Sequence, residues 1–452
     1  MNIAAIESLL RAINNLIWSF PLMVALLGTG VYFTIKLNVL KISSFKLGMK
    51  YIFRGNRSQM GDISNFASLC TVLSATLGTG NIVGVAVALS VGGPGVIFWL
   101  WISALLCLSI KYAEGLLAIK YRIIGKDNRI SGGPMYYIET GLQNKWLAKA
   151  YSLCGVLVAF FGIGTFAQSN SIVTALNDSF GISEIVATVA LGIIVMAVTM
   201  GGIHRISFVA KKIVPVMTFA YIGAATLVLI MKFELIPQAF LMIVQGAFSP
   251  EAILGAGAGV TIMSTIHLGI SRGIFSHESG LGSAAIAAAA AKTDSAVEQG
   301  LISMVGAFLT VVVCTMTGLV LIVTHNDTAL FDIAAKALEG SALTSYAFGV
   351  GLKMAELGKY VVNLGIVFFA FTTIIGWNYY GEKCVQYLWG DVVVIPYKIA
   401  FVFFVIVGPF LQIDMAFVVA DIVIGLMVIP NLIGIIGLRK IITTETVKFF
   451  SK

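Results

Sequence analysis

The chain has 452 residues, of which 58% are hydrophobic and 11% are charged. A soluble domain carries about 25% charged residues, so this chain has too few to cover a surface that faces water. Apolar runs of about 20 residues recur along the chain, and each is long enough to cross a hydrocarbon core about 30 Å thick. The composition therefore excludes a large soluble enzyme and predicts an all-α polytopic membrane protein.

The net charge of +8 is compatible with nucleic acid binding. The basic residues, however, lie in short loops between apolar runs, as the positive-inside rule describes. We therefore expect the lipid bilayer, and no nucleic acid, as a partner. The five cysteines lie mostly in or beside apolar runs without C-x-x-C spacing, which is typical of small core residues.

The apolar runs predict about eleven transmembrane helices. Their expected bounds are 16–36, 64–91, 95–122, 147–175, 184–202, 206–231, 252–276, 297–324, 355–388, 394–412 and 415–438. Between the third and fourth runs, "SGGPMYYIETGL" is too short and too polar to span, so we expect it at the membrane interface.

The loops predict the orientation. Lys and Arg are concentrated in alternate loops: Lys36, Lys41, Lys46, Lys50, Arg54 and Arg57; Lys120, Arg122, Lys126, Arg129 and Lys145; Arg205, Lys211 and Lys212; Arg272 and Lys292; Arg439 and Lys440. These loops fall on one side of an eleven-span path, and that side is predicted to be cytoplasmic. The protein is then a multi-pass protein of the cell (inner) membrane with its N-terminus outside and its C-terminus in the cytoplasm.

Two predicted spans are interrupted by glycine. Span two contains Gly78-Thr79-Gly80-Asn81, and span seven contains Gly255–Gly259. Irregular backbone at membrane depth survives only where it lines a cavity, because an unpaired backbone group in lipid costs several kcal/mol. With span one set aside, spans two to six and seven to eleven form two halves that each open with a broken helix. This pattern is typical of inverted-repeat transporters with a site at the midplane.

The corresponding division of the chain is 1–60 for a peripheral helix and basic loop, 61–235 for the first repeat and 236–452 for the second. Close helix packing is the alternative explanation of both interruptions, since small residues such as Gly80 and Gly84 also permit it. This alternative stays open for span seven. For span two it would leave Asn81 and the Ser74, Thr76 and Thr79 hydroxyls buried without partners, which favours a binding site.

The chemistry of a broken helix follows from its free ends. The carbonyls of residues 74–77 end the first half of span two and suit a small hard cation. The amides of Gly78 to Asn81 begin the second half and suit a carboxylate. The break therefore predicts a cation and an anionic group held side by side.

Span nine supplies the predicted partner for the cation. Thr372 and Thr373 are adjacent hydroxyls in a run of Phe and Ile, and with the Phe369 carbonyl they form a candidate sodium shell. Trp377 lies one turn past Thr373 on the same helix face.

Span four places Gln168 and Asn170 among apolar neighbours, and uncharged amides suit a zwitterionic ligand. A helix–helix hydrogen bond is the alternative for each amide. Glu114 and Glu278 lie near span ends and are interpreted as structural or gating ion partners, with Lys120 or Arg272 as the expected cation. A role in proton transfer is the alternative.

Five blocks of the sequence resemble the alanine/glycine:cation symporter family. They are "SATLGTGNIVGVAVAL", "GGPGVIFWLWISALL", "KYAEGLLAIKYR", "SGGPMYYIE" and "SRGIFSHESGLGSAAIAAAAAKT", in order between about residues 70 and 295. Where that family usually has an Asn-Glu-Ala-like turn, this chain has His277-Glu278-Ser279. The resemblance implies a leucine-transporter-like fold, with ten core helices in a 5+5 inverted repeat and one extra N-terminal helix.

By this resemblance, Gly78, Thr79 and Gly80 hold a substrate carboxylate, Asn81 lies beside the pocket as lining or sodium ligand, and Trp377 limits the substrate side chain. Residues and resemblance together predict a substrate site of Gly78, Thr79, Gly80, Asn81, Gln168, Asn170, Gly257, Thr372 and Trp377. They predict a sodium site of Ser74, Leu77, Phe369, Thr372 and Thr373.

The expected function is sodium-coupled import of alanine and glycine by alternating access, with sodium as the coupling ion, no covalent cofactor and no enzymatic activity. A proton-coupled amino-acid symporter of the same fold is the alternative. A channel is a further alternative, but the spans lack the continuous polar stripe that a channel favours.

Overall fold

The computed structural model describes residues 3–54, 60–125, 130–249, 261–328, 330, 338, 340–411 and 413–451. These residues are almost entirely helical. The exception is a short antiparallel pair of strands, β1 (Ile123–Ile124) and β2 (Ile130–Ser131).

The N-terminal helices are α1 Ile3–Ile17, α2 Phe20–Leu37, α3 Ile42–Phe53, α4 Asn65–Thr76, α5 Val83–Gly92 and α6 Gly95–Lys120. The first predicted span, 16–36, begins inside a separate helix, because the chain turns at Trp18-Ser19 and α2 begins at Phe20, with Pro21 in its first turn. Helix α1 packs against the last spanning helix and was not predicted, nor was α3.

The middle helices are α7 Pro134–Tyr136, α8 Lys145–Phe161, α9 Phe166–Phe180, α10 Glu184–Thr199, α11 Gly202–Met231 and α12 Ile236–Phe248. A π-helical turn, Tyr137–Gly141, extends α7, so the polar segment before span four is short, as predicted. Span four is two helices, α8 and α9, separated at Gly162–Thr165. Helix α12, which packs on α6, was missed.

The C-terminal helices are α13 Ile262–His277, α14 Ser283–Ala288, α15 Ala296–Val323, α16 His325–Thr328, α17 Gly340–Leu352, α18 Ala355–Trp389, α19 Val394–Val407, α20 Ile413–Gly437 and α21 Arg439–Phe450. The interruption at Gly255–Gly259, and with it Gly257, lies outside the described residues. The broken second helix therefore stays a prediction.

Eight helical stretches in the described ranges are long and apolar enough to cross a membrane, and two of them join consecutive helices, α1 with α2 and α8 with α9. The other three predicted spans are the interrupted pair α4 and α5, the 16-residue α10, and span seven, of which only α13 is described. The protein is thus a multi-pass, all-α membrane protein, and the count of eleven spans stays a prediction.

The interrupted helix lies at the centre of the helical bundle. Helix α4 packs against α11, α15 and α18, and α5 packs against α13, α15 and α17. The 35-residue α18 also packs against α8, α9 and α11, so it connects the two halves of span four to the interruption. Polar groups at the break are therefore surrounded by helices from both ends of the chain.

One end of the bundle, which we call the basic face, carries Arg54, Lys120 and Arg122. The Arg122 guanidinium donates to the carbonyls of Ala291 and Thr293, 2.8 and 2.7 Å away, and so joins the end of α6 to the segment after α14. Lys120 and Arg54 pair with Glu445 and Glu298.

Arg272 was counted with the basic loop after span seven, and this interpretation is wrong. Arg272 lies inside α13, where Nη2 is 3.3 Å from Oδ2 of Asp421 on α20. Hydropathy alone places a charged residue in a loop. The Arg272 charge can lie within the bundle because Asp421 compensates it there.

Candidate functional site

The interruption of span two lies where the sequence predicted it. Helix α4 ends at Thr76, and Leu77 and Gly78 are extended, with φ/ψ of −87°/90° and −130°/−161°. A single 3₁₀ turn, Thr79–Asn81, follows before α5 begins at Val83. The backbone therefore leaves the helix for six residues in the buried centre of the bundle.

Two of the carbonyls that the break releases, those of Ser74 and Leu77, turn towards α18. In a continuous helix the Ser74 and Leu77 carbonyls would accept from the amides of Gly78 and Asn81. Instead, the Gly78 amide donates to Asn81 Oδ1 at 3.0 Å, and the Asn81 amide donates to the Gly78 carbonyl at 3.2 Å. The Ser74 and Leu77 carbonyls are therefore free to turn towards α18.

Both released carbonyls meet the Thr373 hydroxyl. Thr373 Oγ1 lies 3.1 Å from the carbonyl oxygen of Ser74, 3.1 Å from that of Leu77 and 3.0 Å from that of Phe369. Thr372 Oγ1 lies 3.0 Å from the same Phe369 oxygen. A hydroxyl has one proton, so it can donate to only one of three carbonyls. The other oxygens face one another through lone pairs, an arrangement that a cation stabilises.

This oxygen cluster, formed by Ser74, Leu77, Phe369, Thr372 and Thr373, is fully buried. The oxygen atoms that converge here are all uncharged, the donor type that hard cations prefer. Carbonyl oxygens without a carboxylate suit a monovalent cation, as in potassium-channel filters. Within the described ranges, no group of three or more His, Cys, Asp or Glu side chains forms a metal site.

The Asn81 side chain links the break to two other helices. Its Oδ1 accepts from the Gly78 amide, and its Nδ2 lies 2.6 Å from Ser276 Oγ of α13 and 3.3 Å from Cys314 Sγ of α15. The Thr317 hydroxyl, also on α15, donates to the Asn81 carbonyl at 2.9 Å. In this conformation the Asn81 amide is engaged by these neighbours and not by the oxygen cluster.

Gln168 and Thr79 lie on the other side of the break. Gln168 Oε1 of α9 accepts from the Thr79 amide at 3.2 Å. Gln168 Nε2 and Thr79 Oγ1 are both buried, and neither has a hydrogen-bond partner among the described residues. Buried polar groups are nearly always bonded, so two unpaired donors beside one turn indicate a place for an acceptor.

The Gln168 amide also lies against Gly78. A Cβ atom at position 78 would be 3.1 Å from Gln168 Nε2 and 2.7 Å from Thr373 Oγ1. The absence of a side chain at Gly78 therefore allows one unpaired donor, Gln168 Nε2, and the oxygen cluster to approach the same backbone position. An acceptor with negative charge at the donors would lie next to a cation at the cluster.

The remaining predicted site residues lie elsewhere. Asn170 Nδ2 donates to the carbonyls of Pro409 and Leu411, 3.1 and 3.2 Å away, and so bonds the turn after α19. Gln168 and Asn170 are two residues apart on α9 and therefore point to different sides of the helix. The Trp377 indole donates to Glu278 Oε1 at 2.9 Å.

The predicted cation partners of Glu114 and Glu278 are wrong. Lys111 Nζ lies 3.8 Å from Glu114 Oε2 and donates to the Glu278 carbonyl at 3.0 Å. Lys120 and Arg272 pair with other carboxylates. Lys111 and Glu114 share one face of α6 because they are three residues apart. This spacing could have predicted the pair from the sequence.

A cavity of about 530 Å³ opens beside α5, on the half of the interrupted helix that leads away from the basic face. We call it the outer cavity. Residues that line it include Gly84, Asn170, Thr174, Arg272, Phe417 and Asp421.

Two aromatic rings and an ion pair separate the outer cavity from the break. The Arg272 guanidinium pairs with Asp421 and lies 5.7 and 5.6 Å from the ring centroids of Phe275 and Phe417. The Phe275 ring covers Gly80, where a Cβ atom would be 2.5 Å from Cδ1. The approach to the break from the outer cavity is therefore closed by side chains of α13 and α20.

The sequence interpretation did not single out Phe275, Ser276, Cys314 or Thr317. Phe275 and Ser276 follow the predicted interruption of span seven and lie within the block "SRGIFSHESG", which was used only for its resemblance. Cys314 was interpreted as a core residue. Thr317 gave no signal, because a helical threonine usually bonds a carbonyl of its own helix.

The model of the sodium:alanine symporter family matches residues 3–452. The chain belongs to this family. The symporter is 48% identical over 451 residues to an uncharacterized transporter of Haemophilus influenzae, across 99% of this chain and 97% of that protein. It is 42% identical over 451 residues to the sodium/alanine symporter AgcS of Methanococcus maripaludis, across 98% and 97%. It is 34% identical over 449 residues to the probable sodium/glutamine symporter GlnT of Bacillus subtilis, across 97% and 90%.

The symporter is also similar to the crystal structure of MhsT in complex with L-phenylalanine. The TM-score is 0.55 at 12% identity, and the match covers 87% of this chain and 99% of that chain. At this identity the similarity shows the fold alone, and it confirms the leucine-transporter-like fold. Family membership makes the protein a sodium-coupled amino-acid symporter and not an enzyme.

Proposed function

We propose that the symporter imports small neutral amino acids, alanine and glycine, together with sodium, by alternating access around the interrupted helix. The observation that carries the proposal is the convergence of the Ser74, Leu77 and Phe369 carbonyls on one hydroxyl, that of Thr373. In this proposal residues 61–235 and 236–452 are the two inverted repeats. The basic face is cytoplasmic in the cell membrane, and the N-terminus is outside.

Sodium acts in the proposal by ordering the break. A cation in the oxygen cluster compensates the lone pairs of the Ser74 and Leu77 carbonyls and thereby holds the end of α4 against α18. The adjacent turn then binds substrate without a separate cost of ordering, so each ligand raises the affinity for the other. This coupling requires that one segment contact both ligands, and Leu77-Gly78-Thr79 is such a segment.

The unpaired donors position the substrate carboxylate. Thr79 Oγ1 and Gln168 Nε2 are assigned to the carboxylate oxygens, because a charge-assisted hydrogen bond would remove the cost of burying each donor. The sequence had pointed to the main-chain amides, but those of Gly78 and Thr79 already donate to Asn81 and Gln168 in this conformation. Trp377 is assigned the role of limiting side-chain size, with its indole orientation held by Glu278.

Replacing Thr79 with Val is expected to raise the KM for alanine about 10- to 100-fold at saturating sodium. The change keeps the shape of the side chain and removes one donor to a charged acceptor, worth about 1.5–3 kcal/mol. Alanine uptake into proteoliposomes measures the effect. Thr174→Val is the matched control, since Thr174 is an exposed hydroxyl residue of the outer cavity. Equal KM values for the two variants would remove Thr79 from the substrate site.

The outer cavity serves as the entry route in this proposal. The Arg272–Asp421 pair and the rings of Phe275 and Phe417 form an outer gate between the cavity and the break. Opening the gate requires α13 and α20 to separate, because the two members of the ion pair belong to these helices. The conformation described is then one in which the approach from the outer cavity is closed.

Uptake by purified protein in proteoliposomes tests the proposed function. An inward sodium gradient is expected to accumulate alanine and glycine and to leave leucine outside, and an imposed pH gradient without sodium is expected to have no effect. Uptake that follows the pH gradient and ignores sodium would contradict the proposal. Equilibration of alanine without accumulation would identify a channel.

A proton-coupled symporter is the second candidate function, and the burial of one carboxylate next to span nine favours it. Glu278 is a buried carboxylate whose Oε1 accepts from Trp377, one helical turn from Thr373. In the proton-coupled case Glu278→Gln would remove the response to the pH gradient. In the sodium-coupled case the variant is expected to keep the sodium requirement, since the oxygen cluster contains no carboxylate.

A further inference from the structure

We propose that Trp18 is a positioning residue of the outer gate, through which the N-terminal helix α1 holds the gate carboxylate, Asp421, in place. Helix α1 precedes the ten predicted core helices, so this assigns it a part in transport. The inference rests on the proposed function, because it takes the Arg272–Asp421 pair as the outer gate.

The contact joins the turn after α1 to the helix that carries the gate. The Trp18 side chain is 2% exposed, and its Nε1 donates to the main-chain carbonyl of Asp421 at 2.9 Å. The side chain of the same Asp421 pairs with Arg272 at 3.3 Å. One residue of α20 therefore bonds the N-terminal segment with its backbone and α13 with its carboxylate.

Gly425 allows the indole to reach the backbone of α20. A Cβ atom at position 425 would lie 2.3 Å from Ile17 Cγ2 and 3.3 Å from Trp18 Nε1. A glycine inside a helix costs about 1 kcal/mol relative to alanine, so a packing reason is expected for it. In a helix the Asp421 carbonyl accepts a hydrogen bond from the Gly425 amide. The Trp18 indole is a second donor to the same carbonyl.

Helix α1 also forms part of the cavity wall. Arg11 and Asn14 line the outer cavity together with Asp421. Arg11, Asn14 and Trp18 are spaced at i, i+3 and i+7 and so form one stripe along the helix and its end. The face of α1 that lines the outer cavity therefore continues to Trp18, the residue that bonds α20.

The arrangement has a direct consequence for the gate. Trp18 bonds α20 and not α13, so α1 is expected to move with Asp421 when the two gate helices separate. Without the indole hydrogen bond, the backbone at Asp421 has one fewer restraint, and the closed ion pair forms less often. Trp18 then affects closure of the outer gate only through the Asp421 carboxylate.

The test measures closure of the gate at a single introduced cysteine. The substitution Thr174→Cys places a thiol on the exposed wall of the outer cavity, and the native cysteines are buried or half-buried. The rate of labelling by a membrane-impermeant maleimide is measured in proteoliposomes with saturating sodium and alanine, and the protein that keeps Thr174 provides the blank. Trp18→Phe is expected to raise the rate about fivefold, the effect of losing one hydrogen bond of about 1 kcal/mol.

Two further variants identify the route of the effect. Asp421→Asn is expected to raise the rate at least as much, and the double variant is expected to match Asp421→Asn alone. Trp101→Phe is the matched control, because its indole donates to Thr315 Oγ1 at 2.9 Å, away from the outer cavity. It is expected to label at the parent rate. If Trp18→Phe fails to fold, Gly425→Ala displaces the same indole and is measured in its place.

The outcomes separate the inference from the proposed function. If Asp421→Asn raises the rate and Trp18→Phe leaves it unchanged, the role of Trp18 is overturned and the gate stands. If the two effects multiply in the double variant, Trp18 acts by packing and the inference is also overturned. If Asp421→Asn itself leaves the rate unchanged, the gate assignment fails and the inference fails with it.

Discussion

Thr373→Ala is expected to raise the sodium concentration for half-maximal alanine uptake by about a hundredfold, which corresponds to about 2.8 kcal/mol. The Thr373 hydroxyl is the one atom within 3.1 Å of all three converging carbonyls, those of Ser74, Leu77 and Phe369. The substitution removes one oxygen from the proposed sodium site. The methyl group of alanine cannot replace that oxygen, so the three carbonyls lose the atom on which they converge. The measurement is a sodium titration of alanine uptake in proteoliposomes.

Two further variants test whether the effect of Thr373→Ala comes from loss of the Thr373 hydroxyl. Thr373→Ser keeps the hydroxyl and is expected to stay within a few-fold of the parent. Thr372→Ala is expected to have the smaller effect of the two alanine variants, because the Thr372 hydroxyl approaches the Phe369 carbonyl and not the break. A Thr373→Ala protein that keeps its thermal stability and its sodium dependence would exclude the oxygen cluster as the sodium site.

Gly78→Ala is expected to abolish sodium-driven uptake, because its Cβ atom enters both parts of the site. That atom would lie 2.7 Å from Thr373 Oγ1, closer than carbon contacts permit, and 3.1 Å from Gln168 Nε2, where the amide would have to shift. The backbone at Gly78 is extended, with φ of −130°, so an L-residue can adopt it and the effect comes from contact alone. Sodium affinity and alanine affinity are expected to fall together.

Gly84→Ala is the matched control for Gly78→Ala. It makes the same change in the same interrupted span, but a Cβ atom at position 84 has no heavy atom within 4 Å among the described residues. The substitution places alanine in the helix α5, where it is favoured over glycine by about 1 kcal/mol. Normal uptake by Gly84→Ala with loss in Gly78→Ala is the expected result. Full sodium-driven uptake by Gly78→Ala would contradict the assignment of a shared site.

The sequence predicted the class of the protein and the position of the break for one physical reason. Lipid offers no hydrogen bonds, so each segment at membrane depth must satisfy its own backbone, and departures from an apolar helix are visible locally. Gly78-Thr79-Gly80-Asn81 is such a departure, and of the hydroxyl pair in span nine Thr373 is the residue that meets it. The released carbonyls of Ser74 and Leu77 follow from the break itself.

The same local reasoning failed where a charge is compensated by a distant residue. Arg272 is an isolated charge in its own segment, and its partner Asp421 lies 149 residues away. Lys120 or Arg272 was the expected partner of Glu114 and Glu278, but Lys111 pairs with Glu114 from inside the same helix. Helix α1 was missed because it is amphipathic and contains no continuous apolar run, and the helix that its apolar face packs on, α20, is distant in the sequence.

The sequence by itself determined that the chain is a polytopic helical membrane protein, that span two breaks at Gly78, and that span nine carries a hydroxyl pair as a candidate partner for the break. Only the tertiary structure decided how each polar atom at the break is used. Asn81 bonds Ser276 across 195 residues of sequence, and Gln168 bonds Thr79 across 89. Hydrogen bonds are short and directional, so the partner of a side chain depends on how distant helices pack, which no local pattern records.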